Sequence, residues 1–323
     1  MKNRVKILVT TPVQHIKNVV KSLENIGDVT YLSDPDEKKV INKIRNFDVI
    51  FTNPNKSKFY LGKKILSRAI KLKVVCTAST GTNHIDIDYA NSKGIKIISI
   101  TKEIKILKKI TSTAELALAL TLSCLRNLLP ANKSVMRGEW DYTKFIGNQM
   151  NLLNVGIIGY GRLGSMYAKY CLALGSSIFV YDPNKKIKNN KINQVKNINS
   201  LAKVADIISI HVHVSKNTKE MINSKLLNKM KKNVIIINTS RGEIVNEEDL
   251  VKFLICNPLA KIGTDVLYDE IRNRKKSKLY KLSKKTNQVL ITPHIGGMTN
   301  EAQELAYNHA VKLLKNYIIN ISV

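Results

Sequence analysis

Short runs of Val, Ile and Leu alternate along the chain with longer stretches of helical spacing. Most of these runs are continuously apolar and do not alternate with polar residues. That is the pattern of parallel strands buried on both faces. They predict strands over 5–10, 28–32, 48–52, 74–77 and 95–98 in the first third of the chain. Beyond it they predict strands over 154–159, 177–182, 206–212, 234–239, 262–266 and 289–292. Strands separated by helices are βαβ units, so the expected fold is α/β, with two doubly wound parallel-sheet domains. A helix is expected over 113–126, with Ser112 and Glu115 spaced as a capping box. A last helix, over 300–317, carries Leu305, Ala306, His309, Ala310 and Leu313 at helical spacing.

Composition narrows the class. At 323 residues the chain exceeds one ordinary core and suits two domains. The first is expected over 1–104, completed by a C-terminal helix over 297–323; the second is expected over 105–296. The basic stretch 102–109 is expected to mark the first crossing, and no appended C-terminal domain is expected. No apolar run reaches the roughly 18–20 residues of a membrane span. The run Val5 to Val9 breaks at Thr10-Thr11-Pro12, so it reads as a first strand and not as a signal peptide. Cys76, Cys124, Cys171 and Cys256 are scattered without metal or redox spacing. They are expected to be buried thiols in a reducing cytoplasm, with no metal site.

The formal net charge is +29. The excess is mostly Lys, spread evenly and mixed with Asn and Ile, three residues that share A/T-rich codons. A nucleic-acid binder should cluster its charge and interleave aromatics, so neither nucleic acid nor membrane is the expected partner. The densest run, 272–285, is expected to be a solvated loop. A positive surface can still draw in anionic substrates.

Three segments carry chemistry. The strand at 154 leads into Gly159-Tyr160-Gly161-Arg162-Leu163-Gly164, and Ser165 to Leu174 then reads as a helix. Gly159 allows the tight turn, Gly161 lets the backbone approach a pyrophosphate, and Gly164 lets the helix sit close on the strand. The helix N–H groups would face the phosphates. The next strand ends on Asp182, where a carboxylate can hold ribose hydroxyls and would repel a 2′-phosphate, which favours NAD over NADP. Lys185 and Lys186 follow closely and leave that preference open. The second segment, Val234 to Val245, places Arg241 in a small-residue turn after a buried strand, where open α/β sheets bind ligands. Its planar fork suits a carboxylate and a carbonyl oxygen together. In the third, Asp265 ends a strand, Glu270 follows five residues on, and Thr292-Pro293-His294-Ile295-Gly296-Gly297 closes the second sheet. Reduction of a 2-keto acid needs a carboxylate anchor, a polariser and a proton donor. His294 can supply the proton, and Glu270 would raise its pKa and fix its tautomer.

With these residues the chain resembles the D-isomer-specific 2-hydroxyacid dehydrogenases, which include phosphoglycerate, glycerate and formate dehydrogenases. The resemblance is strongest over 155–164, 205–242, 263–270 and 293–303. It implies a Rossmann NAD-binding domain plus a flavodoxin-like substrate domain, with the substrate in the cleft between them. It carries the catalytic arginine, glutamate and histidine onto Arg241, Glu270 and His294. The pyrophosphate loop falls on Gly159 to Gly164, with Arg162 and Leu163 presenting backbone amides, and the ribose acid on Asp182. Asp265 would hold the nicotinamide carboxamide, with Thr239 also on the cofactor side. Thr77 to Asp86 is similar to the family loop whose backbone N–H groups grip the substrate carboxylate, which puts Ser79, Thr80 and Gly81 against substrate. Asn53, in the turn Asn53-Pro54-Asn55, is expected to face the same ligand. Thr77 stands where arginine is frequent and Ser79 where glycine is usual, so the side-chain specificity departs from the common pattern. His213 stands where the family has proline and takes no catalytic role; His84, His15 and His309 are read as structural or surface residues.

The expected activity is therefore NAD-dependent interconversion of a 2-keto acid and a D-2-hydroxy acid, of phosphoglycerate or hydroxypyruvate type. By resemblance the chain forms a homodimer through its NAD domains, using the helix that starts near Ser112. A dinucleotide-sensing regulator on the same fold and a formate dehydrogenase are the alternatives.

Overall fold

A computed structural model describes residues 4–32, 35–54 and 59–321. The chain divides into two compact units, Met1–Ile110 with Gly297–Val323, and Thr111–Gly296.

The first unit contains β1 (Val5–Val9), β2 (Gly27–Tyr31), β3 (Val49–Thr52), β4 (Val74–Thr77) and β5 (Lys96–Ser99). All are parallel, in the order β2-β1-β3-β4-β5. This is the doubly wound order of flavodoxin-like sheets. The continuous apolar runs arise because successive side chains of one strand face opposite layers. Ile7, Val9, Phe51 and Cys76 join Leu23, Ala306, Ala310 and Leu314 on one side. Leu8, Ile50 and Val75 join Val40, Ile44, Ile65 and Ala90 on the other. The long helix Asn300–Ile321 thus covers one face of this sheet, and it runs four residues beyond the expected end.

The second unit contains β6 (Asn154–Ile158), β7 (Ser177–Tyr181), β8 (Ile192–Gln194), β9 (Ile207–Ile210), β10 (Ile235–Asn238), β11 (Lys261–Thr264) and β12 (Val289–Ile291). The order β12-β11-β10-β9-β6-β7-β8 is all parallel. It is the Rossmann arrangement with one strand added beyond the sixth. The chain order reverses between β6 and β9, which makes the loops leaving those two strands the ligand-binding crevice of such a sheet.

Four local expectations are corrected. β8 has no counterpart among the predicted strands, because only Ile192 of its three residues is buried and no apolar run announces it. Ser112 is not a cap: the helix spans Ser112–Leu125, its N-cap is Thr111, and no side chain caps it. Ser112 lies inside the first turn, so Glu115 has no reciprocal partner there. The run 272–285 is helical and not a solvated loop, with helices Glu270–Asn273 and Lys278–Ser283 around a 3-10 turn. Leu279 is its buried anchor, and Glu247 accepts from Ser277 Oγ at 3.0 Å and Lys278 N at 2.9 Å. Finally, Cys76, Cys124 and Cys171 are buried thiols, but Cys256 is exposed on the outer face of its helix. Among the described residues, no single helix is long and apolar enough to cross a membrane.

Candidate active site

The glycine turn follows β6. Gly159 has φ 90°, and a Cβ there would lie 2.6 Å from the carbonyl oxygen of His211, so both conformation and contact demand glycine. The helix Arg162–Ala173 starts inside the turn, three residues earlier than its apolar pattern implied. Gly161 is its N-cap, and neither a capping side chain nor an acid occupies the first turn. The first N–H groups of such a helix have no intrahelical acceptor and carry its positive dipole end. A Cβ on Gly161 would meet nothing within 4 Å, so open space lies over those donors. Phosphates fit such a position. Burial lowers the pKa of the neighbouring Arg162 from its usual value.

Asp182 lies just past β7. Its Oδ2 accepts from Tyr160 N at 2.8 Å and its Oδ1 from Asn184 N at 2.9 Å. A carboxylate has about four acceptor sites, so roughly two remain for ribose hydroxyls. Lys185 donates to Tyr160 O at 2.9 Å, with its ammonium 5.3 Å from the Tyr160 ring centroid. This latch over the turn was not foreseen; the lysine beside Asp182 was its only trace in the sequence.

The turn after β10 is fixed by its small polar residues. Ser240 Oγ donates to Ile210 O at 2.8 Å, Ser240 N to Asn238 Oδ1 at 3.0 Å, and Asn238 Nδ2 to Arg241 O at 2.9 Å. Arg241 spends one guanidinium donor on Ser240 O at 2.6 Å, which leaves most of its fork for other acceptors. A Cβ on Gly242 would lie 2.1 Å from the carbonyl carbon of Leu267. The arginine turn and the segment leading to Glu270 therefore touch backbone to backbone.

Glu270 and His294 are brought together from 24 residues apart. His294 Nδ1 and Glu270 Oε1 form a short hydrogen bond, and Glu270 Oε2 accepts from Leu267 N at 3.1 Å. With Nδ1 bound to the carboxylate, the tautomer and orientation of the ring are set by that bond. Asp269 (φ 48°) and His294 (φ 55°) both adopt the left-handed region. For residues other than glycine this costs on the order of 1–2 kcal/mol, held by surrounding contacts. Asp265 supplies contacts of that kind, accepting from Thr292 Oγ1 at 2.5 Å, Ile295 N at 2.8 Å and Gly296 N at 2.8 Å. Burial pushes the Asp265 carboxyl above its usual range, against the opposing pull of these three bonds and of His294. Thr113 Oγ1 donates to Gly296 O at 3.0 Å, tying the helix Ser112–Leu125 to the same turn.

Two hydroxyls of this unit are buried without a hydrogen-bond partner, Thr239 Oγ1 after β10 and Ser112 Oγ. Buried orphans of this kind are uncommon in native proteins and point to a ligand or water. With the open space over Gly161 and the spare capacity of Asp182, these residues fit a dinucleotide. They would hold it by the glycine turn, Asp182 and Thr239.

In the first unit, the loop after β4 is bound by its own hydroxyls. Ser79 Oγ donates to Gly81 O at 2.5 Å and lies 3.0 Å from Thr77 Oγ1, while Thr101 Oγ1 donates to Thr80 O at 2.8 Å. Thr101 was not singled out from the sequence. Asn53 is buried after β3, and Asn55 lies outside the described residues. His84 is buried, His15 bonds Gln303 Oε1 at 2.9 Å, His309 bonds Glu103 Oε2 at 2.7 Å, and His213 is exposed. His211, where the resemblance places the histidine of the family's His-x-Pro motif, has a set of partners that the sequence did not announce. His211 Nε2 bonds Ser209 Oγ at 2.8 Å, and its ring lies 5.2 Å from that of Tyr167, whose hydroxyl bonds Thr121 Oγ1 at 2.7 Å. Burial pushes His211 down to about 3, so it is neutral beneath the glycine turn. Its signal was the lone Ser209 within an apolar strand.

Residues 118–296 match the D-isomer specific 2-hydroxyacid dehydrogenase, NAD binding domain. The chain is 32% identical over 317 residues to D-3-phosphoglycerate dehydrogenase of Methanocaldococcus jannaschii, covering 97% of this chain and 57% of that protein. It is 32% identical over 306 residues to hydroxypyruvate reductase of Thermotoga maritima, covering 93% and 94% respectively. Among solved structures it resembles D-lactate dehydrogenase from Aquifex aeolicus complexed with NAD and lactic acid, with TM-score 0.82, 28% identity, and 97% and 96% coverage. The chain thus spans little more than half of the phosphoglycerate dehydrogenase it matches and nearly all of the hydroxypyruvate reductase. It belongs to the family of D-isomer specific 2-hydroxyacid dehydrogenases, which are NAD-dependent oxidoreductases.

Proposed function

We propose that this chain interconverts a 2-keto acid and a D-2-hydroxy acid with NAD(H), and that its substrate carries a small hydroxylated side chain, as in hydroxypyruvate and glycerate. The observation that carries the reading is the hydrogen bond between His294 and Glu270, beside the turn that holds Arg241. The nicotinamide, when bound, gives or accepts the hydride. His294 gives the proton to the carbonyl oxygen during reduction and takes it back during oxidation. Glu270 orients the imidazole through Nδ1. Arg241 holds the carboxylate and the carbonyl oxygen, stabilising negative charge that develops there. Asp265 and Thr239 lie on the cofactor side, and the loop Ser79 to Gly81 with Asn53 binds the substrate. A hydroxylated side chain is supported by the neutral polar character of Asn53, Thr77, Ser79 and Thr80. Hydride transfer from formate involves no proton exchange with an acid or base and would leave the dyad without that role. The test is NADH oxidation with glyoxylate, pyruvate, hydroxypyruvate and phosphohydroxypyruvate, and hydroxypyruvate should have the highest kcat/KM. No turnover with any of the four would end this reading in favour of a dinucleotide-sensing protein.

The same reading includes a homodimer formed through the second unit. Met136, Trp140, Tyr142, Ile146 and Leu152 lie close together in sequence and are all exposed, with Trp140 at 90%. Such a concentration of large apolar side chains on a water-facing surface marks an interaction site, and a second copy is the proposed occupant.

A further inference from the structure

We infer that Asp265 is a positioning residue for His294, whose carboxylate holds the turn that aims the imidazole. The inference rests on the function proposed above, in which His294 exchanges the proton. Asp265 is 1% exposed, and its two oxygens reach both sides of His294. Oδ1 takes Thr292 Oγ1, two residues before the histidine, and Ile295 N, one residue after it; Oδ2 takes Gly296 N. The histidine between these contacts is in the left-handed region, which a free turn of this sequence would leave. Glu270 fixes the ring at Nδ1, but one hydrogen bond to a side chain cannot fix the backbone that carries the ring. Three bonds from one buried carboxylate do so. They use about three of its four acceptor sites, and the one that remains, on Oδ2, is compatible with a role on the cofactor side as well.

The helix Ser112–Leu125 completes the clamp from the other side. Thr113 Oγ1 takes the carbonyl of Gly296, whose N–H is already on Asp265. Gly296 is pressed between the two residues, since a Cβ there would lie 3.1 Å from Asp265 Oδ2 and 3.2 Å from Thr113 Cγ2. A carboxylate serving only as a cofactor ligand would not need to span the turn.

The test compares wild type with Asp265→Asn, and with Thr292→Val, which removes one of the three bonds at nearly constant volume. NADH dissociation constants are measured by fluorescence of the binary complex. The His294 imidazole is followed by ¹⁵N NMR, and kcat and KM are measured with the best keto acid. In Asp265→Asn, positioning requires altered His294 ring signals in the absence of cofactor and a fall in kcat of about 30-fold or more at saturating NADH. Thr292→Val should move both in the same direction by less, with the NADH constant within about threefold of wild type. Wild-type ring signals in both variants would overturn the inference, and so would a tenfold weaker NADH constant with the ring signals unchanged. The NMR comparison needs no turnover, so an inactive wild-type protein would count against the proposed function and leave this inference to be decided by the ring signals.

Discussion

Arg241 engages one carbonyl through its guanidinium, and the rest of its fork is available to a carboxylate and a ketone. Arg241→Ala should therefore lower kcat/KM by about 4 kcal/mol or more, roughly a thousandfold. NADH affinity should stay close to wild type, because the glycine turn and Asp182 do not depend on that side chain. Near-normal turnover in the folded variant would remove Arg241 from the reaction. The dyad predicts a different signature. Glu270 accepts from His294 Nδ1 at one oxygen and from Leu267 N at the other, and Glu270→Gln has only one oxygen for the two donors. It should lower kcat/KM by about tenfold to a hundredfold, whereas His294→Ala should lose most activity. Values of kcat/KM for the three proteins decide the point, and wild-type turnover in Glu270→Gln would reduce Glu270 to a loop residue.

Turns and their neighbours set the next scale. Two glycines make opposite predictions for one added methyl group. In Gly242→Ala the Cβ would overlap the backbone of Leu267 and Tyr268, and neither can move without dragging Glu270. Overpacking of this kind costs about 1–3 kcal/mol, so thermal unfolding should come several degrees earlier and kcat should fall. Gly161→Ala meets nothing within the protein and should leave the melting temperature unchanged. Its methyl group would point into the space expected for the pyrophosphate, so NADH binding measured by fluorescence should weaken at least tenfold. Wild-type NADH affinity in Gly161→Ala would mean that the phosphates lie elsewhere.

At the scale of the whole molecule, buried histidine links stability to pH. His211 is held neutral in the folded chain, at about 3, whereas an unfolded histidine titrates near 6.5. Between those values the unfolded chain binds the extra proton. The stability that His211 contributes is complete above pH 6.5 and is lost as pH falls toward 3. The slope is at most about 1.4 kcal/mol per pH unit, the limit for a single proton. Urea unfolding between pH 7 and 4 should show this decline, and His211→Asn should flatten it. An equal slope in the variant would assign the decline to other groups. The proposed dimer belongs to this scale too: sedimentation should give twice the 36.4 kDa chain mass, and Trp140→Glu with Met136→Asp should give one.

Local pattern carried much of this protein. Continuous apolar runs mark strands whose two faces both meet helices, and eleven of the twelve strands among the described residues lie within about two residues of where those runs end. The glycine turn, Asp182, Arg241, Glu270 and His294 were legible for a related reason. Their residue types at strand ends are constrained by chemistry that needs no distant partner to be recognised. What depended on partners was hidden. β8 is a strand only because β7 offers it an edge, and Ser112 is no cap because the helix starts at its own position. Asp265 finds its three donors some 27 to 31 residues away, and Gly242 is required by a segment 25 residues on. Periodicity records which faces are buried, a property each residue carries with its own hydrophobicity. The choice of hydrogen-bond partner is made only when sheet register and the packing of separate loops bring particular atoms within 3 Å, and no local pattern encodes that distance.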